Sequence, residues 1–200
     1  MVRARSSFRE RVREQLHAAI LDAAREQAVE RGWRYVRMGD VAAAVGISRQ
    51  TVYAEFQNKD KLAEALAIRE LEQLLVSLSK ELTEFDGTLY DVIRAGVVFV
   101  LGQADANPML HAALTGARPA DDELLPLLLH RVEPIPVAAY QVIMAFATQR
   151  FPDLDSGELS IAIDALIRLV VSHLVLPAYP HEQAAERVAT VIVRSVGLDP

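Results

Sequence analysis

Residues 40–56 have the sequence DVAAAVGISRQTVYAEF, which predicts two short helices joined by a tight turn. Val41 and Val45 recur at helical spacing in the first half, and this indicates one small apolar face. Gly46 follows at once, and a glycine can end a helix in the left-handed conformation without a steric penalty. Ser48 can then cap the next helix through its hydroxyl group. We therefore predict a helix, a glycine turn and a second helix here.

The second helix combines an apolar inner side with a polar start. Val52 and Phe56 stand at positions i and i+4, so they are expected to face inward together. Arg49 and Gln50 open the helix and can reach a base edge, because arginine pairs with guanine and glutamine with adenine. This is the plan of a DNA-binding helix-turn-helix, although the segment taken alone also fits an ordinary helical hairpin.

The flanking sequence favours the first interpretation through its resemblance to a known family. The order and spacing of several elements resemble the N-terminal domain of the TetR family of bacterial repressors, over roughly Glu14 to Leu74. The elements are Ile20-Leu21-Asp22-Ala23-Ala24, Arg31-Gly32, Val41-Ala42, Val45-Gly46-Ile47-Ser48, Thr51-Val52-Tyr53, Phe56, Lys59 and Leu62. The remainder is similar to the family in length and in its helical pattern.

The resemblance implies an all-α fold of about nine helices. We expect a basic N-terminal tail at 1–13 and a DNA-binding domain at 14–74, with its helix-turn-helix at about 38–57. A ligand-binding and dimerisation domain would then occupy 75–200. The arginine-rich tail is expected to be a solvated, disordered segment, or alternatively an arm that contacts the DNA backbone or minor groove.

Composition and charge are compatible with this arrangement. The chain has 200 residues, is 52% hydrophobic and contains no cysteine, so neither a disulfide framework nor a thiolate metal site is expected. Its net charge is −6, but residues 1–60 carry 11 Lys and Arg against 8 Asp and Glu, which leaves +3 there and −9 in the rest. A basic first third and an acidic remainder suggest that one end faces phosphate.

No pattern in the sequence predicts catalysis, a cofactor or a membrane partner. The five histidines are scattered, none with a second histidine at i+3 or i+4 to build a metal face. Gly-rich phosphate loops and nucleophile elbows are absent from the sequence. The longest apolar run, 161–176, contains Asp164, Arg168 and His173 and is too short and too charged to span a bilayer. No signal peptide opens the chain, so a cytoplasmic protein is expected. Because no catalytic pattern is found, we expect a protein that is not an enzyme.

The predicted DNA contacts are in and around the helix-turn-helix. Tyr53 and Lys59 resemble the tyrosine and lysine with which the family holds phosphates. Arg37 stands where the family usually has serine or threonine, so it cannot accept the capping bond, but it can hold a phosphate as a fork. The full set is Arg37, Ser48, Arg49, Gln50, Thr51, Tyr53 and Lys59.

Two further sets of residues are expected in the second domain. A pocket for a small effector could be lined by Phe99, Met109, His111, His130, Met144, Phe146 and His173, although core packing is the better explanation for the group as a whole. By resemblance, the last two helices form a four-helix dimer interface through Leu166, Val170, Leu174, Ala185, Val188, Ala189 and Ile192.

These predictions combine into one expected function. The protein would be a ligand-responsive repressor that binds a palindromic DNA operator as a homodimer and is released by a hydrophobic or amphipathic small molecule. The alternative is a helical ligand-binding or protein-interaction module without specific DNA binding.

Overall fold

The computed structural model describes residues 8–107, 109–111 and 134–199, and in these ranges the protein is helical without any strand. Nine helices have their bounds within these described ranges, one of them a 3₁₀ helix, and the predicted all-α class is confirmed. They are α1 (Phe8–Arg31), the 3₁₀ helix (Trp33–Tyr35), α2 (Met38–Val45), α3 (Arg49–Phe56), α4 (Lys59–Glu84), α5 (Leu89–Ala106), α6 (Pro134–Arg150), α7 (Ser156–Val175) and α8 (His181–Ser195).

The described chain falls into two compact units that divide within α4. The first unit, called the head below, comprises the described residues up to Ala67, and the second unit begins at Ile68. Since α4 is one continuous helix, it belongs to both units. Of the predicted N-terminal tail, residues 1–7 lie outside the described range, whereas 8–13 form the first turns of α1.

The core of the head takes one or more fully buried residues from each of its four α-helices. Ile20 of α1, Val41 of α2, Val52 of α3 and Leu62 of α4 are all 0% exposed. Trp33 of the 3₁₀ helix is also buried, as its apolar character predicted. The inward-facing positions of the helix-turn-helix are therefore held by contacts in the core rather than by the short helices themselves, which would be marginal alone.

The second unit is organised by the packing of α8 on α5. Their buried residues join those of α7 in a single cluster that includes Val97, Leu101, Ala162, Val188 and Ile192. Burial of branched side chains of this kind contributes roughly 1.5–3 kcal/mol each. The apolar stripe of α8 is thus covered within one chain.

Side-chain caps fix where two helices of the second unit, α5 and α7, begin. Thr88 and Asp91 form a capping box at the start of α5, and the hydrogen bonds from Thr88 lower the pKa of the Asp91 carboxyl. Asp155 caps α7 by accepting from the amides of Gly157 and Glu158. Asp155 and Ser156 both have side chains suited to capping, and the structure uses Asp155.

Prolines within a helical stretch can force a kink or a break, and Pro134 and Pro136 stand at the start of α6. Helix α6 begins at Pro134 and continues through Pro136. Both prolines stand in its first turn, where the missing amide would have had no intrahelical acceptor.

The residues predicted to form a dimer interface lie largely in the core of the chain. Leu174, Ala185, Val188, Ala189 and Ile192 are at most 5% exposed, and Leu166 and Val170 are half-buried against the same cluster. The sides of α7 and α8 that remain open carry other residues. The apolar ones are Ile161 and Val175 on α7, and Val191 on α8, which are 72%, 44% and 53% exposed.

Candidate nucleic-acid interface

The turn between α2 and α3 is closed by Gly46 in the left-handed conformation, with φ 75° and ψ 31°. The Gly46 amide donates to the Ala43 carbonyl at 3.2 Å, and the Ile47 amide donates to the Ala42 carbonyl at 3.0 Å. These two bonds form a Schellman motif, which satisfies carbonyl groups that the end of a helix otherwise leaves open. The predicted glycine stop is confirmed.

Ser48 begins α3 as its N-cap. Its hydroxyl oxygen accepts a hydrogen bond from the Thr51 amide at 3.1 Å, and the two hydroxyl oxygens are 2.9 Å apart. The predicted cap is therefore present, and it commits part of the hydrogen-bonding capacity of Ser48 to the helix. Both hydroxyls stand at the start of α3, a position that suits contact with a phosphate oxygen.

Helix α3 has one buried side and one exposed side. Val52 and Phe56 are 0% and 3% exposed, while Arg49, Gln50 and Tyr53 are exposed. The ring of Tyr53 is on the open side of the helix with 43% of the residue accessible. An exposed polar side of an eight-residue helix, α3, is what insertion into the major groove requires.

Arg49 lies against the first turn of α2 instead of extending freely from α3. A Cβ atom built on Gly39 would be 3.2 Å from Nε of Arg49 and 3.5 Å from its Cζ. The absence of a side chain at Gly39 thus leaves the space in which the Arg49 side chain lies. Arg37, the exposed N-cap residue of α2, makes no side-chain capping bond and is two residues before Gly39.

Lys59 connects the start of α4 to the 3₁₀ helix. Its Nζ donates to the Arg34 carbonyl oxygen at 3.1 Å and lies 5.4 Å from the centroid of the Trp33 ring. A cation over a tryptophan face is attracted by the ring quadrupole. The lysine predicted from the resemblance as a phosphate contact therefore also has a structural role in the head.

An ion pair between α1 and α3 was missed by the sequence analysis. Nε of Arg13 is 3.1 Å from Oε1 and 3.2 Å from Oε2 of Glu55, and Nδ1 of His17 is 3.9 Å from Oε2. The His17 ring stacks on Phe56 with centroids 4.5 Å apart. Arg13 is 72% exposed at its side chain, so the pair is screened by solvent and is worth about 1 kcal/mol or less.

The entry to α4 was also not predicted in detail. Gln57 has φ 62° and ψ −50°, and a positive φ is one that residues other than glycine adopt rarely. Asn58 then caps α4 by accepting from the Lys61 amide at 2.8 Å. An Asn directly before the first residue of a helix is a recognisable cap signal. Nothing in the sequence marks Gln57 as a residue with positive φ.

The residues predicted to line a pocket fall into separate packing groups. Phe99 contacts the cluster of Leu71, Leu74, Leu75 and Leu110, whereas Met144 contacts the cluster of Ala147, Leu159 and Ile163. His173 lies edge-on to Tyr179, with ring centroids 6.4 Å apart. Met109 is buried, His111 and Phe146 are half-buried, and His130 lies outside the described residues.

Within the described ranges the chain has neither a metal-binding cluster nor a membrane-spanning helix. Those residues bring no three His, Asp or Glu side chains together in a way that could hold a metal ion. No helix in the same ranges is sufficiently long and apolar to cross a membrane.

A short, well-capped helix with an exposed polar side, carried on a helical head, defines the class of helix-turn-helix transcription regulators. Residues 20–66 match the family model described as bacterial regulatory proteins, tetR family, and residues 89–194 match the bacterial tetracyclin repressor C-terminal domain. The second match alone spans more than half of the 200 residues. The chain belongs to the TetR family of transcriptional regulators.

Similar proteins support the same assignment. The HTH-type transcriptional regulator AlkX of Mycobacterium tuberculosis is 28% identical over 188 residues, which cover 94% of this chain and 88% of that protein. The crystal structure of the TetR family repressor AlkX from a Dietzia strain, implicated in biodegradation of n-alkanes, has a TM-score of 0.72 at 26% identity and covers 90% of this chain and 96% of that one. FadR from Bacillus subtilis in complex with stearoyl-CoA shares the fold, with a TM-score of 0.54 at 16% identity over 90% and 99% of the two chains.

The position of Arg49 generates a graded prediction at Gly39. Gly39→Leu should displace the Arg49 side chain and weaken DNA binding by about as much as Arg49→Ala, on the order of 1–3 kcal/mol. Gly39→Ala should have a much smaller effect, because a methyl group requires only a small shift of a flexible side chain. Both variants should be at least as thermally stable as the parent, since glycine is a poor residue inside a helix.

Fluorescence anisotropy with a labelled duplex, together with thermal melts, checks this prediction. Unchanged affinity of the leucine variant would show that the space beside Gly39 is irrelevant to DNA binding.

Proposed function

We propose that the protein is a ligand-responsive repressor that binds a palindromic operator as a homodimer. The observation that carries the proposal is α3, whose polar side is exposed while Val52 and Phe56 anchor its other side in the head. Helices of this length and polarity enter the major groove in helix-turn-helix proteins. The proposed contact set is Arg37, Ser48, Arg49, Gln50, Thr51, Tyr53 and Lys59, of which all are exposed except the half-buried Thr51 and Lys59.

The contacts divide by chemistry into two roles. Arg37, Tyr53 and Lys59 would hold phosphates, with Ser48 and Thr51 assisting at the start of α3, and these contacts supply most of the affinity. Gln50 opens α3 on its exposed side and would read bases, as would Arg49 from its position beside Gly39. The net charge of +3 in residues 1–60 favours the approach of this end to DNA.

The proposed dimer uses the open sides of α7 and α8. Ile161, Val175 and Val191 are exposed apolar residues on these helices, and Leu166 and Val170 lie half-buried on α7. A twofold dimer would place two recognition helices about one DNA turn, ~34 Å, apart. Twofold symmetry of the protein then requires a near-palindromic operator.

The proposed effector is a hydrophobic or amphipathic small molecule bound by the second unit. Phe99 packs against the cluster of Leu71, Leu74, Leu75 and Leu110, and Met109 is adjacent to Leu110 in the chain. The AlkX relative from Dietzia is implicated in n-alkane biodegradation. Binding would change the angle of α4, which both units share, and so reduce operator affinity. The effector can do this only by binding the two states unequally.

The remaining elements of the proposal concern organisation and location. The DNA-binding domain is proposed to extend over 14–74 and the ligand-binding and dimerisation domain over 75–200. The protein is proposed to act in the cytoplasm and to have no catalytic activity, which fits this function. The relatives named above are transcriptional regulators.

The division of roles predicts two different effects on DNA binding. Gln50→Ala should relax base preference at one operator position by about 1–3 kcal/mol, whereas Lys59→Ala should weaken all sequences alike and reduce the salt dependence. Because Lys59 also bonds Arg34, its variant must be melted in parallel to separate loss of folding from loss of contact.

Titration of operator and scrambled duplexes at several salt concentrations checks both effects. If the parent binds neither duplex, or binds both equally and with little salt dependence, the protein is instead a helical ligand-binding or protein-interaction module.

The open side of α7 predicts the oligomeric state. Ile161→Glu should place a charge in the dimer interface, convert the dimer to a monomer and abolish cooperative binding to the full palindrome. Val76→Glu introduces the same charge at a site on α4 that is equally open, 71% against 72% exposed, and should leave the dimer intact. Sedimentation of both variants measures the outcome, and a dimeric Ile161→Glu protein would place the interface elsewhere.

The effector proposal predicts release of DNA by a long apolar chain. Addition of n-dodecane or dodecanoic acid should lower operator affinity at least several-fold, and Phe99→Asn should abolish this response by making the leucine cluster polar. Phe151→Asn changes a half-buried aromatic residue directly after α6 that is outside the predicted pocket set, and it serves as the matched control. Anisotropy of a labelled operator measures the release, and insensitivity of the parent to both compounds would exclude this effector class.

A further inference from the structure

Asn107 connects three segments of the second unit through one residue. Its backbone amide donates to the Ala104 carbonyl at the end of α5. Its side-chain Oδ1 accepts from the backbone amides of Met109 and Leu110 at 3.1 and 3.2 Å. Its Nδ2 donates to Oε2 of Glu70 on α4 at 2.5 Å. The same side chain therefore caps the helical turn at 109–111 and holds that turn to α4.

Glu70 is an unusual residue at this place. It is 3% exposed and is the one buried charged side chain among the residues that the structure describes. Its neighbour Leu71 and the turn residue Leu110 belong to the same apolar cluster. A carboxylate in such surroundings is costly to desolvate, and packing alone would be served as well by leucine. Hydrogen-bonded acceptors of this kind specify one geometry, because a bond that is broken there has no water to replace it.

The position of Glu70 along α4 links this contact to the head. The head ends at Ala67, and Glu70 follows it within one turn of the same continuous helix. A helix transmits displacement along its axis as a rigid rod over such a distance. Any change in the turn at 109–111 would therefore act on α4 immediately beside the head.

We propose that the hydrogen bond from Asn107 to Glu70, called the latch below, positions α4 for operator binding and transmits changes at 109–111 to the head. This inference rests on the proposed function, since it assigns the regulation of that function to two residues. While the latch is closed, α4 is held to the segment at 109–111 in one geometry. When the latch is open, that geometry must be ordered on binding, and operator affinity falls.

The experiment exchanges donor and acceptor across the latch in the full-length protein. Asn107→Asp keeps an oxygen to cap the Met109 and Leu110 amides but replaces the donor toward Glu70 with a second carboxylate. Glu70→Gln combined with Asn107→Asp restores a bond in the reverse direction, from the glutamine amide to the aspartate, at the net charge of the parent. Glu72→Gln removes a carboxylate from an exposed position on α4 and is the matched control.

Operator affinity is measured with a labelled duplex for the parent and the three proteins. Asn107→Asp should lower affinity at least about 5-fold, the lower end of the range for coupled sites, while the reversed pair should recover to within about 2-fold of the parent. Glu72→Gln should bind as the parent does. If the Asn107→Asp protein does not fold, the reversed pair alone tests the proposal. Weak operator binding by a reversed pair that is as stable as the parent would overturn the latch.

Hydrogen exchange supplies a readout that a purely structural bond would not move. Coupling is reciprocal, so adding operator duplex should slow exchange at the Met109 and Leu110 amides in the parent and in the reversed pair, but not in Asn107→Asp. If operator slows exchange at these amides equally in all proteins, or does not slow it in the parent despite tight binding, the latch is rejected while the proposed function stands. If no duplex binds the parent, the proposed function fails and the latch fails with it.

Discussion

Burial of the inner side of α3 is the constraint on which the rest of the head depends. A helix of eight residues does not hold its shape in water, so its conformation is imposed by the contacts of Val52 and Phe56 with the core. The polar residues on its other side are thereby pre-positioned. Gly46 sets its angle to α2, and Ser48 sets the residue at which it begins.

Helix α4 places a second constraint on the molecule, because it is shared by both units. Its first turn is fixed by the Asn58 cap and by the Lys59 bond to the 3₁₀ helix. Farther along, Leu71, Leu74 and Leu75 join the apolar cluster of the second unit. The same 26-residue helix thus has independent anchors in both units, which is the condition for one unit to influence the other.

The features of the head that depend on near neighbours in the chain could be predicted from the sequence. The contacts between distant residues could not. The glycine stop at Gly46 and the cap at Ser48 depend on neighbours within four residues, and both were predicted. The pairing of Arg13 with Glu55 joins residues 42 positions apart, and no periodicity reveals it. Likewise, the apolar stripe of α8 was recognised, but its pattern cannot say whether α5 or a second chain covers it, and α5 covers it.

The placement of Trp33 has a spectroscopic consequence. It is the sole tryptophan of the chain, it is 3% exposed, and the ammonium group of Lys59 stands over its indole ring. Intrinsic fluorescence excited at the indole band therefore originates in the head alone, whatever occurs in the second unit. Since a charge over the ring shifts its emission, movement of Lys59 toward a nucleic-acid phosphate would be visible without any attached dye. The molecule contains an optical probe of its own DNA-facing end.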